Sequence, residues 1–279
     1  MNAGGEEKDG LSWTASRGSR ELEHEAGAQG VRALRLEDIA VVFQPIVDVA
    51  TGRLFGQEAL VRCRRPEYEQ PAVLFDHAAQ EDACGRLGRM IRDVAFTTCG
   101  DVALFVNLHP SELSARWLVR PDDPIGFHSQ AVYLEIPDAA IFTHFELCTS
   151  LLKELCVRTG ALLVVDDFGG GYTNIDRIVQ LEPAVVKLDI ALTRNIQSNP
   201  LHQAVARDLV SLCKDLGARV VAEGVETLDE LRCVRDLGVD LAQGFLFARP
   251  AAPPPVPAWP IERQPTKGRP PPSKGGVTQ

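Results

Sequence analysis

Short runs of nearly unbroken apolar residues alternate along this chain with segments of helical periodicity. Ala103–Leu108 (ALFVNL), Ala131–Ile136 (AVYLEI), Ala161–Asp167 (ALLVVDD), Ala184–Asp189 (AVVKLD), Ala218–Val225 (ARVVAEGV) and Gly238–Phe245 (GVDLAQGF) read as strands. Strands this continuously apolar are buried on both faces, as in a parallel sheet covered by helices. Leu201, Val205, Leu209, Leu212 and Leu216 recur at helical spacing, and Gly217 stands where that helix should stop. Thr227 and Glu230 form a capping-box pair that opens the next helix. Alternation sustained this long predicts α/β architecture.

The polar residues of these runs cluster where each strand ends: Asn107, Glu135, Asp166, Asp167, Lys187, Glu223 and Gln243. In a closed barrel such ends converge on one face, and that face carries the chemistry. A doubly wound sheet would gather them mainly at a switch point, and no GxGxxG follows the first strand. The expected fold is therefore a (β/α)8-type barrel, a single domain over residues 36–250 with flexible extensions at both ends. Residues 1–35 are rich in Gly, Glu, Ser and Arg and are expected to be mobile, with a short helix around Arg20–Ala28. More than half of the prolines lie from Pro250 onward, so residues 251–279 are expected to form an extended, disordered tail. Lys267, Arg269 and Lys274 make that tail mildly basic.

Composition narrows the function classes. The net charge of −9 and the pI of about 5.2 argue against a protein that holds duplex nucleic acid by neutralising phosphates. No apolar run is long enough to span a bilayer, and no apolar leader follows the start, so the cytoplasm is the expected compartment. The seven cysteines are scattered and form no CxxC, which predicts reduced thiols and no thiolate zinc site.

Glu58, Asn107, Glu135 and Asp166 are hard oxygen donors suited to Mg2+ or Mn2+. Brought together without a cation, such carboxylates would repel one another. Asp167 follows Asp166 directly, so their side chains leave in different directions, and a turn at the strand end would let one serve a second cation. Two neighbouring cations activate water and stabilise both the entering and leaving oxygens of a phosphodiester. Lys187 could hold the attacking water, or be a plain salt-bridge partner. Glu223 could complete a metal shell or accept the proton of that water. His109, His144 and His202 are isolated and read as surface or helix-end residues, and Trp117 and Trp259 as packing or tail residues. The glycines Gly169–Gly171 lack the lysine–serine pair of a phosphate-binding loop.

From Phe43 to about Pro250 the chain resembles the EAL family. The landmarks stand in family order: FQPI at Phe43–Ile46, EALVR at Glu58–Arg62, VNL at Val106–Leu108, LEI at Leu134–Ile136, DDFGGGY at Asp166–Tyr172, VKLD at Val186–Asp189, AEGVE at Ala222–Glu226 and QGF at Gln243–Phe245. The resemblance implies a modified TIM barrel that hydrolyses cyclic di-GMP to linear pGpG with Mg2+ or Mn2+, two ions in all. It assigns Glu58, Asn107, Glu135 and Asp166 to the first metal and Asp167 to the second. Lys187 resembles the lysine that orients water, and Glu223 the general base or metal ligand. Glu226 matches a residue that anchors the loop after Asp167, and Gln243 a polar partner near the catalytic water. Gln44 and Arg62 match contacts to guanine and phosphate, although each could satisfy neighbouring backbone instead. The implied partners are cyclic di-GMP, a second copy of the chain, and a protein reached through either tail. Where relatives read DDFGTGYSSL this chain has Gly170, Thr173 and Asn174; Pro137–Asp138 stands for the usual Thr-Glu, and Cys63 for an aromatic residue. No metal ligand is lost. The rival class is an EAL-type receptor or interaction module without catalysis.

Overall fold

The structure, a computed structural model, describes residues 30–114, 122–138, 145–170 and 175–260. The expected helix around Arg20–Ala28, together with Trp117, His144, Thr173 and Asn174, lies outside them. Asp48 accepts hydrogen bonds from the amide and the hydroxyl of Thr51, both at 2.9 Å, and so closes a tight turn. That turn sends β1 (Ile39–Asp48) straight back as β2 (Leu54–Cys63) with no helix between them. Next come β3 (Leu104–Asn107), β4 (Val132–Pro137), β5 (Leu162–Phe168), β6 (Val185–Leu188), β7 (Arg219–Ala222) and β8 (Leu241–Gln243). The eight close into one barrel in chain order. β2 to β8 run parallel, whereas β1 is antiparallel to both its neighbours, β2 and β8. The six apolar runs predict β3 to β8; β1 and β2 escape that pattern because Gln44, Gln57 and Glu58 interrupt them.

Helices fill the crossovers. α1 (Pro71–Gln80) and α2 (Cys84–Thr98) lead to β3, α3 (Phe145–Thr159) to β5, and α4 (Ile175–Leu181) to β6. α5 (Ile190–Thr193) and α6 (Pro200–Asp215) lead to β7, and α7 (Leu228–Asp236) to β8. α6 is the helix predicted from leucine spacing: Asn199 caps it on the His202 amide, and the chain leaves it at Gly217 in a left-handed turn with φ +78°. α7 opens with the expected Thr227–Glu230 capping box. All seven cysteines are free.

Period-two alternation organises the interior. Ile46, Phe105, Tyr133, Val164, Val185, Val221 and Leu241 form an apolar floor inside the barrel, with the Phe105 and Tyr133 rings stacked at 4.2 Å. A side chain that points inward at position i points inward again at i+2. One step above the floor therefore stand Asn107, Glu135, Asp166, Lys187, Glu223 and Gln243. In the reversed β1, Gln44 stands two residues before Ile46. Ile46 pairs with Gly56 and Val47 with Leu54, which leaves Phe55 as an extra residue in a bulge. Its ring joins the floor beside Tyr133, where Arg219 covers it. A bulge re-aims a side chain in this way.

Residues 30–35 and 251–260, expected to lie in the extensions, pack against the barrel. Val31 and Leu34 are buried in the outer core, and the amides of Val31 and Arg32 donate to the Glu81 carboxylate at 3.0 Å. Residues 30–35 thus belong to the fold, because two apolar side chains three apart outweigh a polar setting. Residues 251–260 are not a loose tail either. Ala251 exchanges backbone hydrogen bonds with Phe43, Pro255 accepts from Gln57 Nε2 at 2.8 Å, and Trp259 stacks on Phe247 at 5.8 Å. Proline lacks an N–H that would need a partner, so a proline-rich strap can run beside a hairpin with few donors to satisfy. Ending the chain after Pro250 should lower stability to urea relative to ending it after Pro260. Trp259→Ala by itself should lower it by about 1–3 kcal/mol, the range for losing part of a buried aromatic surface.

Candidate active site

The C-terminal mouth of the barrel is organised around one buried amine. Lys187, on β6, is 1% exposed. Its Nζ lies 2.7 Å from Glu223 Oε1, 2.9 Å from Glu135 Oε1, 3.1 Å from Asp166 Oδ1 and 3.5 Å from Glu58 Oε2. An ammonium has three N–H groups, and the most distant carboxylate, Glu58, is held by amides instead. Gln243 Nε2 donates to Glu58 Oε2 at 2.6 Å, and Asn107 Nδ2 to Glu58 Oε1 at 3.3 Å and Glu135 Oε2 at 3.1 Å. Gln243 also reaches Gln44 Oε1 at 3.3 Å, and Gln44 Nε2 donates to the Ala248 carbonyl at 3.2 Å. Eight of the eleven residues expected at the site are thereby in one connected network.

Asp167 arrives by a different device. Val165 pairs with Val186 but Phe168 with Leu188, so β5 carries one residue too many. The excess is absorbed at Asp167, which turns left-handed at φ 58°. Adjacent strand residues ordinarily face opposite sides of a sheet. Here the bulge brings both carboxylates to the same mouth, and oxygens of Asp166, Asp167 and Glu223 lie within 4.8 Å of one another.

Burial and charge shape the protonation of this cluster. Burial is the strongest single influence on Lys187 and favours the neutral amine. The summed attraction of Glu135, Glu223, Glu58 and Asp166 outweighs it and holds the pKa well above the usual lysine value. Burial, then Glu58, drives Glu135 well above the carboxylate range. Burial likewise pushes Glu223 up to about 8, against the pull of Lys187. Desolvation first, then Asp166, raises Asp167.

The donor set fits a divalent cation. One lysine against four carboxylates leaves three formal negative charges if all ionise, before Asp167 is counted. Gln243 Oε1 is also buried without a hydrogen-bond donor. Asp166, Asp167 and Glu223 converge closely enough to share an ion. This is an excess of hard acceptors, which Mg2+ or Mn2+ would satisfy.

Two expected residues sit differently. Arg62 Nη1 donates to the carbonyl of Val61 at 2.7 Å, the backbone contact that was its alternative role. Glu226 pairs with Arg194 Nη1 at 2.5 Å, on the loop after β6; residues 171–174 of the loop after Asp167 lie outside the described residues. Arg194 itself gave no signal in the sequence, since a lone arginine in a loop carries no motif. Two cavities flank the cluster. One, of about 370 Å³, is bordered by Gln44, Arg194, Glu223, Glu226 and Phe245; the other, of about 220 Å³, by Arg62, Phe75, Ile91 and Asn107. Both touch Glu58 and Leu60.

A closed barrel that gathers carboxylates around a lysine at the C-terminal ends of its strands carries them on the face where barrels of this kind place their sites. The EAL domain model matches residues 29–250, and the chain belongs to that family. It is 30% identical over 237 residues to the cyclic di-GMP phosphodiesterase PA2567 of Pseudomonas aeruginosa, covering 80% of this chain and 40% of that protein. It is 29% identical to the cyclic di-GMP phosphodiesterase RocR of the same organism, covering 80% of this chain and 60% of RocR. The chain thus spans less than two thirds of the length of these curated relatives. Among solved structures, the manganese and cyclic di-GMP complex of Klebsiella pneumoniae BlrP1 at pH 6 is similar, with TM-score 0.67 and 29% identity over 85% of this chain and 67% of that one. No helix among the described residues is long and apolar enough to cross a membrane.

Replacing Lys187 by Met would leave the carboxylates without their counter-charge. The metal-free protein should lose about 3–5 kcal/mol of stability, as when one member of a buried ion network is removed. Mn2+ should restore part of the loss, since a ligand bound only by the folded state stabilises it. Urea unfolding in EDTA and in Mn2+ measures both effects.

Proposed function

We propose that this chain is a metal-dependent phosphodiesterase that hydrolyses cyclic di-GMP to linear pGpG. The observation that carries the reading is the convergence of Glu58, Asn107, Glu135, Asp166, Asp167 and Glu223 around Lys187, with a cavity on either side. A cyclic dinucleotide has two base-bearing halves joined through phosphates, and two cavities meeting at a cation-binding cluster suit that shape. The relatives and the manganese complex described above support the same substrate class.

In this reading Glu58, Glu135 and Asp166 hold one Mg2+ or Mn2+, and Asp167 contributes to a second. Asn107 turns its Nδ2 toward two carboxylates, which leaves Oδ1 as its ligand atom. Bound divalent cations would supply Lewis-acid charge to the phosphate oxygens and acidify the attacking water. The protein's own groups do the rest. Lys187 fixes the carboxylates and orients water, and Glu223 takes the proton as the water oxygen bonds to phosphorus. The P–O3′ bond breaks, and a proton returns to the leaving 3′ oxygen to give a 5′-phosphate and a 3′-hydroxyl. Gln243 and Gln44 keep Glu58 in register. Arg62 at one cavity and Glu226 at the other line the paths of the two halves.

Turnover should require Mg2+ or Mn2+ and stop on chelation, while Ca2+, with its longer bonds and higher coordination number, should support binding without hydrolysis. Glu223→Ala should lower kcat by about 10²–10⁴-fold with a much smaller change in affinity. Glu58→Ala should lose both, because it removes a ligand. Calorimetry in Ca2+ and chromatography of products in Mg2+ and Mn2+ separate these effects. Wild-type binding with no hydrolysis above Glu223→Ala would instead mark a cyclic di-GMP receptor.

A further inference from the structure

Three consecutive residues of the loop after β6 dock onto the segment that follows β7. The Thr193 hydroxyl, fully buried, donates to the backbone carbonyl of Glu223. Arg194 pairs with the side chain of Glu226. The amide of Asn195, held in a left-handed conformation at φ 54°, donates to Glu230 Oε1 at 2.8 Å. Glu230 Oε2 meanwhile accepts from the amides of Glu226 at 2.9 Å and Thr227 at 3.0 Å. Gly224 completes the contact: its φ is +65°, and a β-carbon there would stand 2.2 Å from the Ile190 side chain.

A capping box accounts for one of these bonds, that from Thr227. It accounts for neither the Asn195 bond, which spans 35 residues, nor the Glu226 bond. Glu230 is also 1% exposed, whereas a helix-capping glutamate in the first turn is ordinarily solvated. A carboxylate that is buried and saturated by three amides from two loops ties those loops together.

We infer that Glu230 and Thr193 are positioning residues, which lock the loops after β6 and β7 against each other and so fix the Glu223 carboxylate beside Lys187 and Asp166. Neither touches the proposed substrate. The inference deepens the proposed phosphodiester hydrolysis and rests on it for its kinetic consequence, but not for its effect on cation binding. Glu230→Gln keeps the size of the side chain but places an amide N–H₂ against at least one backbone N–H, so the two loops can no longer share it. Thr193→Val keeps the volume and removes the donor to the Glu223 carbonyl.

The test compares both variants with Trp259→Ala, which lies in the strap beside the β1–β2 turn and serves as a control of lowered stability. In the full chain, Glu230→Gln should bind Mn2+ about tenfold more weakly by calorimetry, because the displaced Glu223 carboxylate is one of the three that converge closely enough to share an ion. Its kcat for cyclic di-GMP should fall about 10- to 100-fold with KM nearly unchanged, the signature of a displaced catalytic group. Thr193→Val should move both quantities in the same direction by less, and Trp259→Ala should move neither. Wild-type Mn2+ affinity and kcat in both loop variants would overturn the inference, and so would an equal loss of Mn2+ affinity in Trp259→Ala. If the wild type itself shows no hydrolysis, the proposed function fails, and the Mn2+ affinities alone decide the positioning role.

Discussion

The ammonium of Lys187 is the constraint from which the rest of the site follows. Its four ion pairs involve side chains from β2, β4 and β5 and from the segment just beyond β7, so one group ties together much of the barrel wall. A buried charge is tolerated only when paired, and a buried cluster of one sign only when neutralised. The lysine meets the first requirement and falls short of the second. The surplus of carboxylate is what the proposed divalent cations would neutralise.

The geometry that delivers those side chains is simple. Each inward strand position alternates with an outward one, and the apolar floor fixes which parity is inward. Apart from Asp167, every site residue on β3 to β6 and on β8 stands two positions from a floor residue, and Glu223 keeps the same phase beyond the end of β7. The exceptions are instructive. Asp167 breaks the parity by a left-handed bulge, and Phe55 breaks it by a bulge at the other end of the barrel. One places a second carboxylate where cations would gather, and the other fills the floor with an aromatic ring.

The reversed β1 has its own consequence. Because β1 runs antiparallel, Gln44 enters the mouth from the middle of a strand that leads down from it, and its neighbour Phe43 pairs with Ala251 of the C-terminal strap. Gln44 leans on the Ala248 carbonyl, three residues before the strap pairs with Phe43. The wall of the candidate site and the proline-rich strap are therefore parts of one packing arrangement.

Much of this was written locally. The apolar runs of β3 to β8, the leucine spacing of α6 and the capping box of α7 are short-range patterns, and they determine elements wherever they occur. The ordered acidic and amide positions at the strand ends likewise announced one polar cluster at the barrel mouth, since their phase relative to the apolar residues is itself a sequence property. Other features depended on contacts between distant segments. The direction of β1, the docking of residues 251–260, the burial of Val31 and Leu34, and the convergence of Asp166 with Asp167 are of this kind. So is the second role of Glu230: its sequence neighbours show a helix cap, while its bond to Asn195 exists only because two loops meet. Periodicity records which face of an element is buried, but not which remote donor will complete a buried acceptor, and that choice belongs to the folded barrel.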